Sequence, residues 1–189
     1  MIYDKAWFHG KAMNDKRELL RHFLAALAYR TQKALRDAPA GFGDFRAAEG
    51  ARTPVELVRH MTSVLGYART FFTGGKYLPD ALSSLPEEVV RFHEVLEDLG
   101  RHIDSGNAFP EGLTEERLLQ GPLSDAMTHA GQLAMLRRLA GVPVAPENFV
   151  FADITTKRLG TEQAEPAQPD ETWPEAPAGW LPPSQRRGR

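Results

Sequence analysis

The sequence contains no cysteine. This absence excludes disulfide bonds, thiolate metal sites, iron–sulfur clusters and a cysteine nucleophile, so any thiol used in a reaction has to come from outside the chain. The sequence also has no apolar run approaching the roughly 18 residues of a membrane span. We therefore predict no membrane-spanning segment.

Charge of one sign is not in excess either. Lys and Arg number 23, Asp and Glu number 25, and the formal net charge is −2. This balance disfavours general nucleic-acid binding, which depends on neutralising phosphates. The first twenty residues carry acidic and basic side chains where a secretion signal has an apolar run. We expect a cytoplasmic protein that binds neither nucleic acid nor membranes.

The 189 residues suit one domain, or one domain with a tail. Four segments show the three-and-four spacing of apolar residues that indicates amphipathic helices. They run from about Lys16 to Asp37, from Thr53 to about Phe72, from near Ser84 to Gly106, and from near Thr114 to Gly141. Gly121-Pro122 interrupts the fourth segment, which predicts a kink or a short lead-in helix before a main helix that starts at Pro122.

These helices predict an all-α fold, a four-helix bundle over residues 1–159. A Pro-rich, largely irregular extension follows over residues 160–189, because six prolines and almost no aliphatic residues cannot build a core. Trp173 and Trp180 are the exceptions, and we expect them to pin the extension onto the domain or onto a partner. A short extended piece packed on the bundle is predicted from Phe149, Val150, Phe151 and Ile154.

Polar side chains at apolar positions are the informative residues. His60 lies between Leu57 and Val64 on the second helix, and a seam on the last helix contains Asp125, His129, Gln132, Leu136 and Leu139. Asp125 and His129 are one turn apart on one face. A buried carboxylate is costly unless it is paired or bound to a metal. Together with His60 they form a donor set that suits Zn²⁺, Fe(II), Ni(II) or Mn(II).

Each of these residues also has an explanation without a metal. A histidine on a helix is often only hydrogen-bonded or half-exposed. Asp125 lies in the first turn of a helix that starts at Pro122, where a negative charge interacts favourably with the helix dipole. Gln132 alone is typical of a structural hydrogen bond. The residues by themselves leave both interpretations open.

Two stretches resemble the DinB-like (YfiT-like) metal-binding four-helix bundles, a group distinct from the DNA polymerase that shares the DinB name. The stretch SDAMTHAGQL, followed by LRRLAGVP, is similar to the last-helix signature of that family, an H-x3-H pair often followed by Gly-Gln. The stretch TPVELVRHM is similar to its second-helix motif. The resemblance covers roughly residues 16 to 145.

The resemblance implies a divalent metal held by His60 and His129, with Asp125 in place of the first histidine of the pair. Zinc is the expected ion, with iron, nickel and manganese as alternatives. The carboxylate adds a negative charge, which makes a water on the ion less acidic than three imidazoles do. Three further side chains are candidates for the surroundings of the ligands: Glu56, Tyr67 and Gln132. For Glu56 a role in the helix cap is favoured, and for Tyr67 a role in the core.

The family contains thiol-dependent S-transferases, a thiol-dependent isomerase and hydrolases. The resemblance therefore implies a metal-dependent transferase or hydrolase that acts on a small molecule, with a low-molecular-weight thiol as a further cofactor. Two alternatives remain: a non-catalytic metal- or ligand-binding bundle associated with stress, and an interaction protein whose metal site has lapsed. The family also implies a homodimer. Trp7, Phe8, Phe42 and Phe45 lie in predicted connecting segments, where they offer apolar surface for it.

Overall fold

A computed structural model describes residues 5–174 and 176–178, with side chains described from residue 15 onward. The all-α prediction is confirmed, since these residues contain helices and no strand. The four long helices are α1 (Lys5–Leu35), α2 (Pro54–Thr73), α3 (Leu85–Asp104) and, after a short α4 (Glu115–Leu118) and a π-helical turn (Leu119–Leu123), α5 (Ser124–Leu139).

Helices α2 and α3 run parallel. Arg59 pairs with Glu88 and Arg69 pairs with Asp98, and each pair spans 29 residues of sequence, as parallel helices require. Helix α1 runs antiparallel to α3, because Arg17 in its first half donates a hydrogen bond to the carbonyl oxygen of Ile103, at the end of α3. Each long helix packs against two others, α1 on α3 and α5, and α2 on α3 and α5.

One core joins the four long helices, and the apolar stripes predicted for α1 to α3 supply most of it. Its largest fully buried members come from every long helix, from α4 and from the π-helical turn: Leu24, Leu27, Met61, Leu65, Phe92, Leu96, Leu99, Ile103, Leu118, Leu123 and Leu133. Burying a Leu, Ile, Met or Phe side chain contributes about 1.5–3 kcal/mol. The core therefore fixes the relative positions of α2 and α5, which carry the candidate ligands.

The predicted helix ends are largely confirmed. Thr53 caps α2, and its side-chain oxygen accepts from the Glu56 N–H while the Glu56 carboxylate accepts from the Thr53 N–H. Gly74 ends the same helix. Helix α1 starts earlier than predicted, because residues 5–15 lack the apolar repeat that marked the rest. It stops at Leu35, since Asp37 has a left-handed backbone with φ 52°.

The expectations for residues 149–154 are only partly met. Phe149–Phe151 form a 3₁₀ turn rather than an extended piece. Val150 and Phe151 are exposed, whereas Ile154 packs on the core. Phe149 is held by α1, since the Arg30 guanidinium lies 3.8 Å from the centre of its ring. The extended piece was therefore a wrong prediction for a segment that uses only some of its apolar residues for packing.

The Pro-rich segment lies against α1 without forming a helix over residues 161–174. Arg36 forms an ion pair with Glu165 at 2.8 Å and donates to the carbonyl oxygens of Gln163 and Ala164. Trp173 is buried, so it packs on the domain as one of the two predicted alternatives. Trp180 lies outside the described residues.

Two of the aromatic residues expected to supply free surface are part of the core instead. Phe42 is buried, and Phe45 packs partly buried against the core. Trp7 and Phe8 lie within α1 rather than in a connecting segment, and their side chains lie outside the described part. Among the described helices, none is both long and apolar enough to cross a membrane.

Candidate metal centre

Helix α2 positions His60 from a firmly defined start. Pro54 occupies the first turn, where its missing N–H costs nothing, and the reciprocal Thr53–Glu56 bonds satisfy two free N–H groups. His60 follows almost two turns after the cap, with its side chain 32% exposed. The imidazole therefore lies at the edge of the core, open on one side.

The π-helical turn positions the start of α5. Gly121 leaves the helical region at φ −90° and ψ −106°, and Pro122 follows it inside the turn. The Ser124 hydroxyl donates to the Leu119 carbonyl at 2.7 Å, which satisfies an acceptor that the interruption leaves free. The predicted kink is confirmed, although regular α-helix resumes at Ser124 rather than at Pro122.

The buried face of α5 matches the predicted seam only at His129 and Leu136. Its core positions are Ala126, Ala130, Leu133 and Leu136, with His129 at the edge. Asp125 and Gln132 are exposed, and so is Leu139. The predicted seam misses part of the buried face because the small side chains of Ala126 and Ala130 carry little hydrophobic signal, although both are buried. The claim that Asp125 is buried is therefore wrong.

The three predicted ligands nevertheless come together. His60 from α2 and Asp125 and His129 from α5 each offer a donor atom, and these atoms lie within 4.8 Å of one another. The two imidazole rings meet edge to face with their centres 4.8 Å apart. One carboxylate oxygen of Asp125 faces each ring, although the side chain is 49% exposed. The group can hold a metal ion.

The separations between the three side chains are longer than those of good direct hydrogen bonds. His129 Nε2 lies 3.4 Å from Asp125 Oδ1, and His60 Nε2 lies 3.8 Å from Asp125 Oδ2. The usual distance between nitrogen and oxygen in an N–H···O hydrogen bond is about 2.9–3.0 Å. Two donors that each lie about 2.1 Å from one tetrahedral ion are about 3.4 Å apart. The pair formed by His129 and Asp125 matches this spacing, whereas the set as a whole extends to 4.8 Å and has to contract for all three donors to share one small ion.

Gln132 fixes the orientation of His129. The Gln132 Oε1 atom lies 2.8 Å from His129 Nδ1, and because a carbonyl oxygen only accepts, Nδ1 carries the proton. The other ring nitrogen, Nε2, is then the basic atom, and it faces Asp125. A hydrogen bond of this kind is typical of histidines that bind metals. Gln132 thus contacts a candidate ligand, one of the roles predicted for it.

The surroundings keep His60 in its neutral form. Burial lowers the pKa of this imidazole, the positive charge of Arg52 and the interaction with the His129 ring lower it further, and the Asp125 carboxylate opposes them. A neutral imidazole is the form that binds metal ions. The electrostatics of His60 therefore agree with a ligand role near neutral pH.

A cavity of about 760 Å³ opens beside the three donors. His60 and Asp125 line it at one end, and Tyr67 lines it from the next turns of α2. Tyr67 is 59% exposed, with its ring edge to face on Phe71. The core role favoured for Tyr67 is therefore wrong. The lining also includes Ser63, Val64, Gln120, Gly121, Pro122, Ser124 and Thr128.

Glu56 stays in its cap. Its carboxylate accepts the Thr53 N–H at 2.8 Å and lies 3.4 Å from Arg46, and these interactions lower its pKa. It lines a second cavity that also contains His60 and Ser63. The cap thus accounts for Glu56, and the residue helps to shape the approach to His60.

The other described histidines serve elsewhere. His93 is 2% exposed and donates from Nδ1 to the Leu159 carbonyl at 2.7 Å. His102 stacks on Phe72, and His22 is exposed on α1. Sequence reasoning missed Ser63 and Arg52, which lie beside His60. Ser63 follows His60 by three residues, so its position on the same helix face was a usable signal.

No family model, curated protein or solved structure matches this chain. The geometry of the site and the motif resemblance are therefore the grounds for a functional assignment.

Proposed function

We propose that the protein is a divalent-metal-binding four-helix bundle of the DinB-like type, with His60, Asp125 and His129 as the ligands. The observation that carries this proposal is the convergence of three donor atoms, from two helices, within 4.8 Å. The Gln132 contact supports it, because that hydrogen bond directs the basic nitrogen of His129 toward the other donors.

Zinc is the ion we expect, because two imidazoles and one carboxylate are a known catalytic zinc set that leaves a coordination position open. Iron, nickel and manganese accept the same donors and are the alternatives. A divalent ion at this position supplies Lewis acidity, lowering the pKa of a water or thiol that reaches it. The negative charge of Asp125 moderates this effect relative to three neutral imidazoles.

We further propose that the site serves a metal-dependent transferase or hydrolase acting on a small molecule. The cavity of about 760 Å³ beside His60 is within the usual range for small-molecule sites, and it has both apolar and polar lining. Val64 and Pro122 offer apolar surface, while the hydroxyl groups of Ser63, Tyr67 and Thr128 offer hydrogen bonds. Because the chain has no cysteine, a thiol used there has to be a small external molecule.

Elemental analysis of protein purified without added metal or an affinity histidine tag tests the assignment. We expect about one zinc, iron, nickel or manganese ion per chain and none in His129→Ala. The His22→Ala variant, changed at an exposed histidine of α1, is the matched control and should keep the ion. Metal retained at full stoichiometry in His129→Ala would contradict the ligand assignment.

A non-catalytic binding protein is the alternative that the same geometry permits. It shares the metal site but needs no acid or base beside the cavity. A screen of the metal-loaded protein with small thiols and electrophiles separates the two functions. Turnover that disappears on removal of the metal supports the enzyme, whereas ligand binding without turnover across the screen supports the alternative.

A lapsed site is the third alternative, and here the protein acts through its partners. The exposed side chain of Asp125 is compatible with it, but the orientation of both carboxylate oxygens toward imidazoles favours a working site. Protein that contains no metal, and regains none on dialysis against the four ions, would identify this alternative. Homodimer formation stays a prediction from the resemblance, and sedimentation at micromolar concentration tests it.

A further inference from the structure

The second cavity beside His60 differs in charge from the first. Its volume is about 440 Å³, and it meets the first cavity at His60 and Ser63, which line both. Three arginines line it: Arg46, Arg52 and Arg59. Of the described residues, Glu56 is the one acidic residue in the same lining, so arginines outnumber carboxylates on the wall of this cavity.

Two of the three guanidinium groups already have carboxylate partners. Arg59 forms a 2.6 Å ion pair with Glu88 and donates to the Leu82 carbonyl. Arg46 lies 3.4 Å from the Glu56 carboxylate and donates to the Ala51 carbonyl. Their charge is largely neutralised, and their positions are determined by these partners.

Arg52 is different. Among the residues that the structure describes, it has no hydrogen-bonded acceptor and no carboxylate partner, and its side chain is exposed. It directly precedes Thr53, the cap of α2, so its backbone is held beside the start of the helix that carries His60. An unpaired guanidinium presents a planar fork of donors that matches a carboxylate.

We propose that the metal centre binds a small organic acid. Arg52 binds the carboxylate of this acid, while a second polar group of the acid reaches the ion held by His60, Asp125 and His129. This inference rests on the proposed metal site. Two neutral imidazoles and one carboxylate around a divalent ion leave one positive charge, and Arg52 adds another. A ligand with two negative groups balances both charges, whereas a neutral ligand leaves Arg52 unpaired.

Matched hydroxamates test the proposal, because the hydroxamate group binds zinc in every member of the series. Acetohydroxamate has no carboxylate, whereas the monohydroxamates of malonic, succinic and glutaric acid carry one on spacers of increasing length. Calorimetric titration of the zinc-loaded full chain measures each affinity. We expect at least one carboxylate-bearing member to bind about tenfold more tightly than acetohydroxamate, the gain typical of one charge-assisted hydrogen bond.

The Arg52→Gln variant should lose this preference and keep its affinity for acetohydroxamate. Arg101→Gln removes another exposed positive charge, one that pairs with Asp98 on α3, and should keep the preference, which controls for net charge. Equal affinities across the series in the unaltered protein, or a preference that survives Arg52→Gln, would overturn the proposal.

The outcomes also separate this proposal from the proposed function. Zinc content is measured before and after each titration. A chain that holds zinc at His60, Asp125 and His129 but shows no preference contradicts only the organic-acid inference. A chain that holds no zinc contradicts the metal site, and the organic-acid inference with it.

Discussion

Two adjacent residues of α2, Arg59 and His60, each face a carboxylate, and the two carboxylates differ in burial and in hydrogen bonding. Arg59 pairs with Glu88, which is fully buried, whereas His60 faces Asp125, which is 49% exposed. Glu88 accepts from Arg59 at 2.6 Å, from Arg91 and from the Leu82 N–H at 2.9 Å. Asp125 faces two imidazoles at 3.4 and 3.8 Å, which leaves space between the groups.

The difference shows which carboxylate is structural. Burial raises the pKa of Glu88, but its hydrogen bonds with Arg59, Leu82 and Arg91 outweigh burial, and the net pKa is lowered. The charge of Glu88 is thus satisfied within the fold, and this carboxylate has no capacity left for a ligand. Asp125 keeps that capacity, because its protein neighbours lie too far away to complete its hydrogen bonding.

Removing Glu88 should produce the largest effect. Glu88→Ala leaves the Arg59 and Arg91 guanidinium groups without their buried partner, and loss of one member of such a group costs about 3 kcal/mol of unfolding free energy. Asp125→Ala should change the stability of the metal-free protein by less than about 0.5 kcal/mol, since the residue is exposed. Urea unfolding of both variants measures the contrast. Equal losses would break the distinction between the two carboxylates.

Removing Asp125 should instead reduce metal binding. Asp125→Ala takes away one of three donors, and we expect zinc affinity to fall at least about a hundredfold, the upper range for changes around a metal site. Competition with a zinc-sensitive dye measures it. Glu88→Gln, which preserves the size of the side chain, is the matched control at the structural carboxylate, and its folded fraction should keep its zinc affinity. Undiminished affinity in Asp125→Ala would place the ion elsewhere.

Removing Gln132 should give a smaller loss of the same kind. Gln132→Ala takes away the acceptor that orients His129, and the expected loss of zinc affinity is about tenfold, with full stoichiometry retained. Gln132→Glu keeps an acceptor at this position and should retain most of the affinity. If both variants bound zinc as tightly as the unaltered protein, the hydrogen bond to His129 would have no part in the site.

His93 is a buried titratable group outside the candidate metal site, and its removal has the smallest predicted effect. Burial lowers the pKa of this imidazole below its ordinary value of 6.5, although the bond to the Leu159 carbonyl opposes the shift. Below about pH 6.5 the imidazole of His93 is protonated in the unfolded chain but stays neutral in the folded chain. The free energy of unfolding therefore falls as the pH drops below about 6.5. His93→Gln should flatten the pH dependence of unfolding between pH 7 and 5 in metal-free protein. The exposed-site variant His22→Gln should leave the slope unchanged, and an unaltered slope in His93→Gln would contradict the assignment.

The fold class and the helix boundaries of α2 and α3 followed from local signals. Thr53, Pro54 and Glu56 define the start of α2, and Gly74 defines its end. Such caps depend on neighbours within one turn, so the sequence reveals them directly. The meeting of His60 with His129 was one of two interpretations that the residues left open, and the family resemblance favoured it, because contacts between helices depend on packing that periodicity alone does not give.

The buried face of α5 could not be predicted from the same signals. The π-helical turn Leu119–Leu123 changes the rotation of the chain before α5 starts, and Ala126 and Ala130 carry too little apolar surface to mark the face. The cavities were not predicted either. Arg52 lies before the cap, outside every apolar stripe, and its position beside His60 follows only from the path of the chain into α2.

The most direct test of the metal centre is X-ray absorption spectroscopy of the zinc-loaded protein. The scattering should show two imidazole ligands, with oxygen donors completing the shell at about 2.0–2.2 Å. In the His129→Ala variant, the spectrum should show no zinc that is bound by two imidazole ligands. A zinc environment with one imidazole or none in the unaltered protein would contradict the assignment of His60, Asp125 and His129.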